Sequence, residues 1–271
     1  MWAAVASVVR VTPLPYDTVI AAESARCAAA LASADPAAQV PACPEWSAAD
    51  LAYHLAEVQD FWSRVVASAP AEPSDDVVTR PPDDELVAFL RTCTTALLDA
   101  LAVHEPGDAC WSWSPVGGDI AWVLRRQAHE ALIHRVDAEQ AAGVPLTEPA
   151  ADLAADGVAE MLEVMVSGLP AWATFTPEGA QVRLVATDVD RAWTVALGRF
   201  TGTSPTSGNT YDEDCAELVA DAPDDATGEV RGTAWDLDLW LWGRGPAGVL
   251  ATSGDAAVAD RLRAIIVESS Q

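Results

Sequence analysis

The chain has 271 residues, enough for one large or two modest domains, and 51% of them are apolar, which excludes a disordered chain. A formal net charge of −26 excludes duplex nucleic acid as a partner, since that binding needs clustered cations; the charge reads as solubility. Every one of the 15 basic residues is arginine, and without lysine there is no Schiff base, no lysine general base and no Walker A phosphate loop.

The apolar start, Met1 to Val9, lacks a basic region and a cleavage site. It reads as a loose leader ending at the turn Pro13–Pro15. No run approaches the roughly 20 apolar residues that span a bilayer, so the cytoplasm is expected and no membrane. Tyr16 to Ala34 is alanine-rich, with apolar positions at helical period. After the turn Pro41-Ala42-Cys43-Pro44, Ser47 reads as an N-cap with Asp50 completing a capping box. The helix it opens carries Leu51, Leu55, Val58, Trp62 and Val65 on one stripe and runs to about Ala69.

A Pro- and Asp-rich loop, 70–82, precedes a third helix from Asp83 to Val103, and a Trp-bearing loop, 106–118, precedes a fourth from Asp119 to Ala142. Gly143 and Pro145 stop it, and a further helix covers 150–167. Beyond Gly168-Leu169-Pro170 the texture changes. Segments 181–186, 193–198, 217–222 and 229–232 read as short strands, 234–242 and 256–267 as helices, and the polar stretch 201–214 as a loop. The expectation is a four-helix bundle over residues 1–168 followed by a small α/β domain over 169–271. The five cysteines, Cys27, Cys43, Cys93, Cys110 and Cys215, form no C-x-x-C pair and read as reduced, mostly buried thiols.

The fourth helix holds His129-Glu130-Ala131-Leu132-Ile133-His134, one residue longer than the zinc-protease pattern H-E-x-x-H. Histidines five apart lie about 140° apart around a helix and cannot share a metal, whereas Glu130 and His134, four apart, lie on one face. On the helical wheel Asp137 falls near that pair, and Arg125, Arg135 and Glu139 fall opposite. Long charged side chains there predict a water-facing back, so Glu130 and His134 point inward. His129 falls with Trp122 and Val136, away from the pair, and reads as structural.

A carboxylate and an imidazole turned into a bundle need compensation. One reading is a metal held between helices. The other is plain helix chemistry: Arg126, four residues before Glu130, pairs with it, and His134 hydrogen-bonds to a neighbour. His54, on the second helix beside the apolar stripe, fits either a satisfied core histidine or a third ligand. Two His and one Glu form an open site suited to zinc, with room for water, a thiol or a substrate. Asp137 is a candidate partner for fixing the His134 tautomer. Asp50 offers itself to His54 in the same way, with surface solvation as the preferred account.

These residues carry a resemblance. Cys43-Pro44-Glu45-Trp46-Ser47-Ala48-Ala49-Asp50-Leu51-Ala52-Tyr53-His54-Leu55 resembles the opening C-P-x-W-[ST]-x-x-D-L-x-x-H-[LV] of the mycothiol-dependent maleylpyruvate isomerase family. The stretch from Arg125 to Glu139 is similar to that family's R-R-x-A-H-E-x-x-x-H-R-x-D-A-E helix, and Asp156-Gly157-Val158-Ala159-Glu160 to its D-G-x-x-E. Leu239-Trp240-Leu241-Trp242-Gly243-Arg244 resembles its L-x-L-x-G-R segment, and Ser253-Gly254-Asp255 its closing T-G-D.

The resemblance implies a DinB-like four-helix bundle with zinc or a similar divalent metal on His54, Glu130 and His134. It also implies a small α/β domain closing over the site, and mycothiol or a similar low-molecular-weight thiol as co-substrate. It makes Arg244 a candidate for binding an anionic substrate; the alternative is an arginine favoured by a helix C-terminus. Two departures, Trp242 in place of a smaller residue and the long 201–214 segment, bear on the substrate pocket.

The expected chemistry is a thiol activated on a metal and adding to a small electrophile, with isomerisation or S-transfer as the outcome. Metal-assisted hydrolysis with Asp137 as base, and a non-enzymatic metal- or ligand-binding module, are the alternatives.

Overall fold

Helix formation in the first half follows from capping and apolar spacing. In the computed structural model, which describes residues 14–74, 76–114, 117–219, 226–245 and 248–269, the first helix, α1, covers Tyr16–Ser33. The leader at 1–13 lies outside the described residues, as do positions 220–222 of the expected third strand. A short hairpin of β1 (Gln39–Val40) and β2 (Cys43–Ser47), not foreseen from the turn residues, delivers the chain to α2 (Ala48–Ser68). There Ser47 and Asp50 form the reciprocal capping box, satisfying two orphan N–H groups. Asp50 also pairs with Arg80 and takes no part in holding His54.

After a 3₁₀ turn at Asp83–Glu85 comes α3 (Leu86–Leu101), whose Leu86, Leu90, Leu97 and Leu101 are buried. Asp119 caps α4 (Ile120–Ala141) by accepting from the Trp122 N–H. The four helices pack with α1 on α4 and α2 on α3. No helix among the described residues is long and apolar enough to cross a membrane.

The next helix, α5 (Ala151–Glu160), ends in a π-helical turn at Met161–Val166 and leads into the sheet. Its strands are β3 (Ala173–Ala186), β4 (Ala192–Thr203), β5 (Thr210–Val219), β6 (Gly228–Gly232) and β7 (Ala251–Gly254). They lie in the order β5-β4-β3-β6-β7, with β3 and β6 parallel and the other neighbours antiparallel. Two helices, α6 (Ala234–Trp242) and α7 (Ala256–Ser269), complete it. Val182, Leu184, Val195, Leu197 and Val230 form one core with Leu237, Leu241, Leu262 and Ile266, and α5 contributes Leu153 and Val158 to it.

Two expectations are corrected. The stretch 201–214 is loop only at 204–209: 201–203 end β4 and 210–214 begin β5, paired at Thr203 and Thr210. This part of the hairpin extends past the core, with Tyr211, packed on Trp172 and Phe200, as its one large apolar side chain, so the alternation that marks a half-buried strand is missing. Cross-strand pairs hold it instead: Arg199 binds Asp212 and Asp214, and the Thr203 and Thr210 hydroxyls meet at 3.1 Å.

The supposed water-facing back of α4 is likewise buried. Arg135 is wholly enclosed, donating to Glu23 of α1 at 2.8 Å and to Glu139 at 2.7 Å, with its guanidinium over the Trp235 ring. Arg125 is clamped by Asp156 and Glu163 on the α5 side. With α1 on one flank and α5 and α6 on another, α4 is central, and its charged side chains are compensated by carboxylates from its neighbours rather than by water.

Candidate metal centre

The inward direction of Glu130 and His134 holds even though the argument from a wet back does not. Their spacing on α4 puts both side chains on one face, and α2 brings His54 to meet them. One ligand atom from each of His54, Glu130 and His134 lies within 4.8 Å of the others. Glu130 Oε1 stands between the imidazoles, 3.4 Å from His54 Nε2 and 3.1 Å from His134 Nε2. The two rings meet edge-on with centroids 4.8 Å apart. Exposure is graded across the trio: the His54 side chain is 30% exposed, that of Glu130 15% and that of His134 8%, so the site opens on the His54 side.

Each remote atom of the pair on α4 is pinned. His134 Nδ1 donates to Asp137 Oδ2 at 3.0 Å, leaving Nε2 for the centre. Asp137 is fully buried and also receives Arg244 through Nε and Nη2, both at 3.0 Å. Arg126 donates through Nη2 to Glu130 Oε2 at 2.6 Å, so Oε1 is the oxygen left facing the histidines. Both readings of the helix pattern are therefore present at once: Arg126 makes the i, i+4 ion pair with Glu130, and the ligand trio still converges.

The electrostatics follow from this packing. Burial works against the charged form of Glu130, but the His134 charge and the hydrogen bonds from His134 and His54, with the Arg126 charge, outweigh it and hold the carboxyl well below its usual range. Burial likewise works against a charged His134, yet the Glu130 charge and the Asp137 hydrogen bond lift it to about 9. Asp137 is held down by His134 and Arg244 against the opposing effect of burial.

Arg244 arrives from the loop after α6, where Gly243 turns the chain with a φ of 77°. Besides Asp137, its guanidinium donates to the Trp242 carbonyl at 2.5 Å and approaches Cys43 Sγ at 3.6 Å. The residue bridges the two halves of the molecule, and through the Trp242 carbonyl, the last of α6, it also serves that helix's C-terminus. Trp242 lies between two guanidiniums, 5.8 Å from that of Arg126 and 5.6 Å from that of Arg244.

Comparison with known proteins gives the family. A sequence model of the mycothiol maleylpyruvate isomerase N-terminal domain matches residues 18–139, and the C-terminal domain model of that family matches residues 152–261. The chain belongs to the mycothiol-dependent maleylpyruvate isomerase family of enzymes.

Two solved structures, of the mycothiol-dependent maleylpyruvate isomerase and of a histidine-to-alanine mutant of it, share the fold with a TM-score of 0.58. Each is 14% identical, with 88% of this chain and 91% of the other covered. No curated protein matches the chain.

The N-terminal family match spans all three candidate ligands together with Arg126 and Asp137, and the C-terminal match spans Arg244. His129 is elsewhere, buried against Asp156 at 2.8 Å, as a structural histidine should be. Of the cysteines, Cys27, Cys93 and Cys110 are buried, while Cys43 and Cys215 are partly exposed. Burial pushes the Cys43 thiol up, and the Asp137 charge adds to this.

Two neighbours of the centre escaped the sequence reading. Trp46 places its indole 4.5 Å from the His54 ring and 6.1 Å from that of His134, walling the site from the β2 side. Glu160, on α5, binds the far end of Arg126. Both stand in the motifs quoted above, but periodicity alone assigned neither to the site.

Proposed function

We propose that the chain is a metal-dependent enzyme that uses mycothiol or a similar low-molecular-weight thiol to isomerise a small electrophile, or to transfer sulfur to it, in the cytoplasm. The observation that carries this reading is the convergence of His54, Glu130 and His134 from two helices, with one possible ligand atom of each within 4.8 Å of the others. The donor set fits zinc or a similar divalent ion: two imidazole nitrogens, one carboxylate oxygen, and an opening on one side. The proposal takes residues 1–168 as the metal-binding helical part and 169–271 as the α/β part that delivers Arg244.

When bound, the ion and the thiol supply a nucleophilic sulfur at neutral pH. The chain's own residues do the rest. His54, Glu130 and His134 bind; Asp137 orients the His134 ring by accepting from Nδ1; and Arg126 fixes which oxygen Glu130 presents. Arg244 locks Asp137 in place and puts a cation beside the site, favouring an anionic electrophile. Trp46 and Trp242 form apolar walls that limit access of water. Metal-assisted hydrolysis is less well supported, because both Asp137 oxygens are already engaged and neither is left to take a proton from water.

The test is direct. Protein purified without chelator is expected to hold about one divalent ion per chain and to accelerate isomerisation of maleylpyruvate, or conjugation of a panel of electrophiles, only when mycothiol is added. His54→Ala and Glu130→Gln should abolish both. Unchanged rates in the two variants would remove the metal from the mechanism.

A further inference from the structure

Behind the centre lies a group of buried charges that the proposed chemistry does not use. Arg126, 3% exposed, bridges two carboxylates: Nη2 donates to Glu130 Oε2 and Nη1 to Glu160 Oε1. Glu160 is 1% exposed, and its other oxygen, Oε2, has no hydrogen-bond partner. Asp238 of α6 is 2% exposed, and its Oδ1 has none either. The two acids share one interface, because α5 packs on α6 through Gly157, one turn before Glu160. A Cβ at Gly157 would stand 2.6 Å from Asp238 Oδ2 and 2.9 Å from its Cγ, so only glycine lets that carboxyl lie against α5.

Counting charges decides what the group must be. Glu130, Glu160 and Asp238 fully ionised against Arg126, and against the His134 that faces Glu130, would leave one uncompensated negative charge away from water, a costly arrangement. Glu130 and Glu160 each hold a guanidinium nitrogen, and Asp238 holds no cation. Asp238 is therefore the acid that keeps its proton. A neutral acid also has an O–H to give, and across the same α5–α6 interface Glu160 Oε2 is an acceptor without a donor. Burial, reinforced by the Glu160 charge, moves Asp238 in the same direction, well above the usual carboxyl range.

We propose that Glu160 and a proton-bearing Asp238 are positioning residues for the metal centre, acting on it through Arg126. Glu160 draws Arg126 away from Glu130, so the guanidinium shares its charge between two carboxylates and competes less with a cation for Glu130. Asp238 stabilises the Glu160 charge without adding another. This inference rests on the reading of His54, Glu130 and His134 as metal ligands.

The experiment measures zinc affinity of the full chain by chelator competition, with circular dichroism as a check on folding. Glu160→Gln leaves Arg126 leaning on Glu130 alone and is expected to weaken zinc binding about tenfold, as loss of an outer hydrogen-bond partner does. Asp238→Asn, which mimics the neutral acid, is expected to stay within about twofold of the wild type. The infrared spectrum at neutral pH should show a carboxylic-acid carbonyl stretch that Asp238→Asn lacks. An unchanged affinity in Glu160→Gln, an equal loss in Asp238→Asn, or no carboxylic-acid band assignable to Asp238 would each overturn the proposal. If the wild type itself binds no zinc, the ligand reading fails instead, and the infrared band still reports on Asp238.

Discussion

Helix α4 carries two buried histidine–carboxylate clusters, five residues apart, and they differ in kind. Around His134, an imidazole and a carboxylate from α4 meet a second imidazole from α2, and the Nε2 of each ring faces one shared oxygen. Around His129, one carboxylate, that of Asp156, is surrounded by donors: His129 Nε2 at 2.8 Å, Tyr16 Oη at 2.7 Å and Arg125 Nε at 3.1 Å. The first brings together two imidazole nitrogens and a carboxylate oxygen, each able to offer a lone pair to a cation once the rings shed their protons, and opens toward solvent. The second gathers donors and is closed. A histidine beside an acid is thus insufficient to mark a candidate metal centre; what counts is whether three groups able to ligate a cation converge, as His54, Glu130 and His134 do, or whether an arginine fills the place of one, as Arg125 does beside Asp156.

The sharpest way to break this comparison is to remove one histidine from each cluster. His54→Ala should lower zinc affinity by at least about 100-fold, more than loss of an outer hydrogen-bond partner costs. His129→Ala should leave zinc stoichiometry intact while lowering unfolding stability by about 3 kcal/mol, since it opens a cavity and strips a buried carboxylate of a donor. Metal analysis and denaturant unfolding on the same two variants decide it; zinc loss in the His129 variant would erase the distinction.

A smaller effect is expected from Asp137→Asn, which keeps the shape but loses the charge that orients His134: zinc affinity should fall about 10- to 100-fold. An undiminished affinity would mean that the hydrogen bond to Nδ1 does not set the ring.

The clusters should also titrate in opposite senses in metal-free protein. His134 is raised from 6.5 to about 9, so its contribution to stability is complete below 6.5 and is lost as pH rises through 9. Asp156 is depressed below 3.8, the donors around it outweighing burial, so its contribution is present above 3.8 and disappears as pH falls further. Denaturant midpoints across pH should show both slopes, and His134→Gln should abolish only the alkaline one. With His134 raised to about 9, zinc binding at pH 7 should release about one proton, measurable by calorimetry in buffers of different ionisation enthalpy.

The smallest change is predicted for Tyr16→Phe. It removes one of three donors to Asp156 and should cost about 1 kcal/mol with no change in zinc affinity. A shift in metal binding here would show the two clusters to be coupled along α4.

Much of the local structure was legible in the residues themselves. Ser47 and Asp50 announce the start of α2 because a capping box is satisfied within four residues. The separation of Glu130 and His134 decides that they share a face, since helix geometry depends on nothing beyond the helix. His129 could be set apart from the pair for the same reason.

What lay out of reach depends on neighbours distant in sequence. That Arg135 is buried is decided by Glu23, 112 residues away, and the strand character of 201–203 and 210–214 by pairing between two polar segments. The course of Arg244 to Asp137, across 107 residues, could not be read from a helix end. Charge compensation and strand pairing are relations between segments, and a single sequence records each segment alone. The chain's local periodicities therefore determined its helices and that Glu130 and His134 share one face of α4. Only the tertiary fold decided which histidine joins them, which charges are buried, and which arginine stands behind the site.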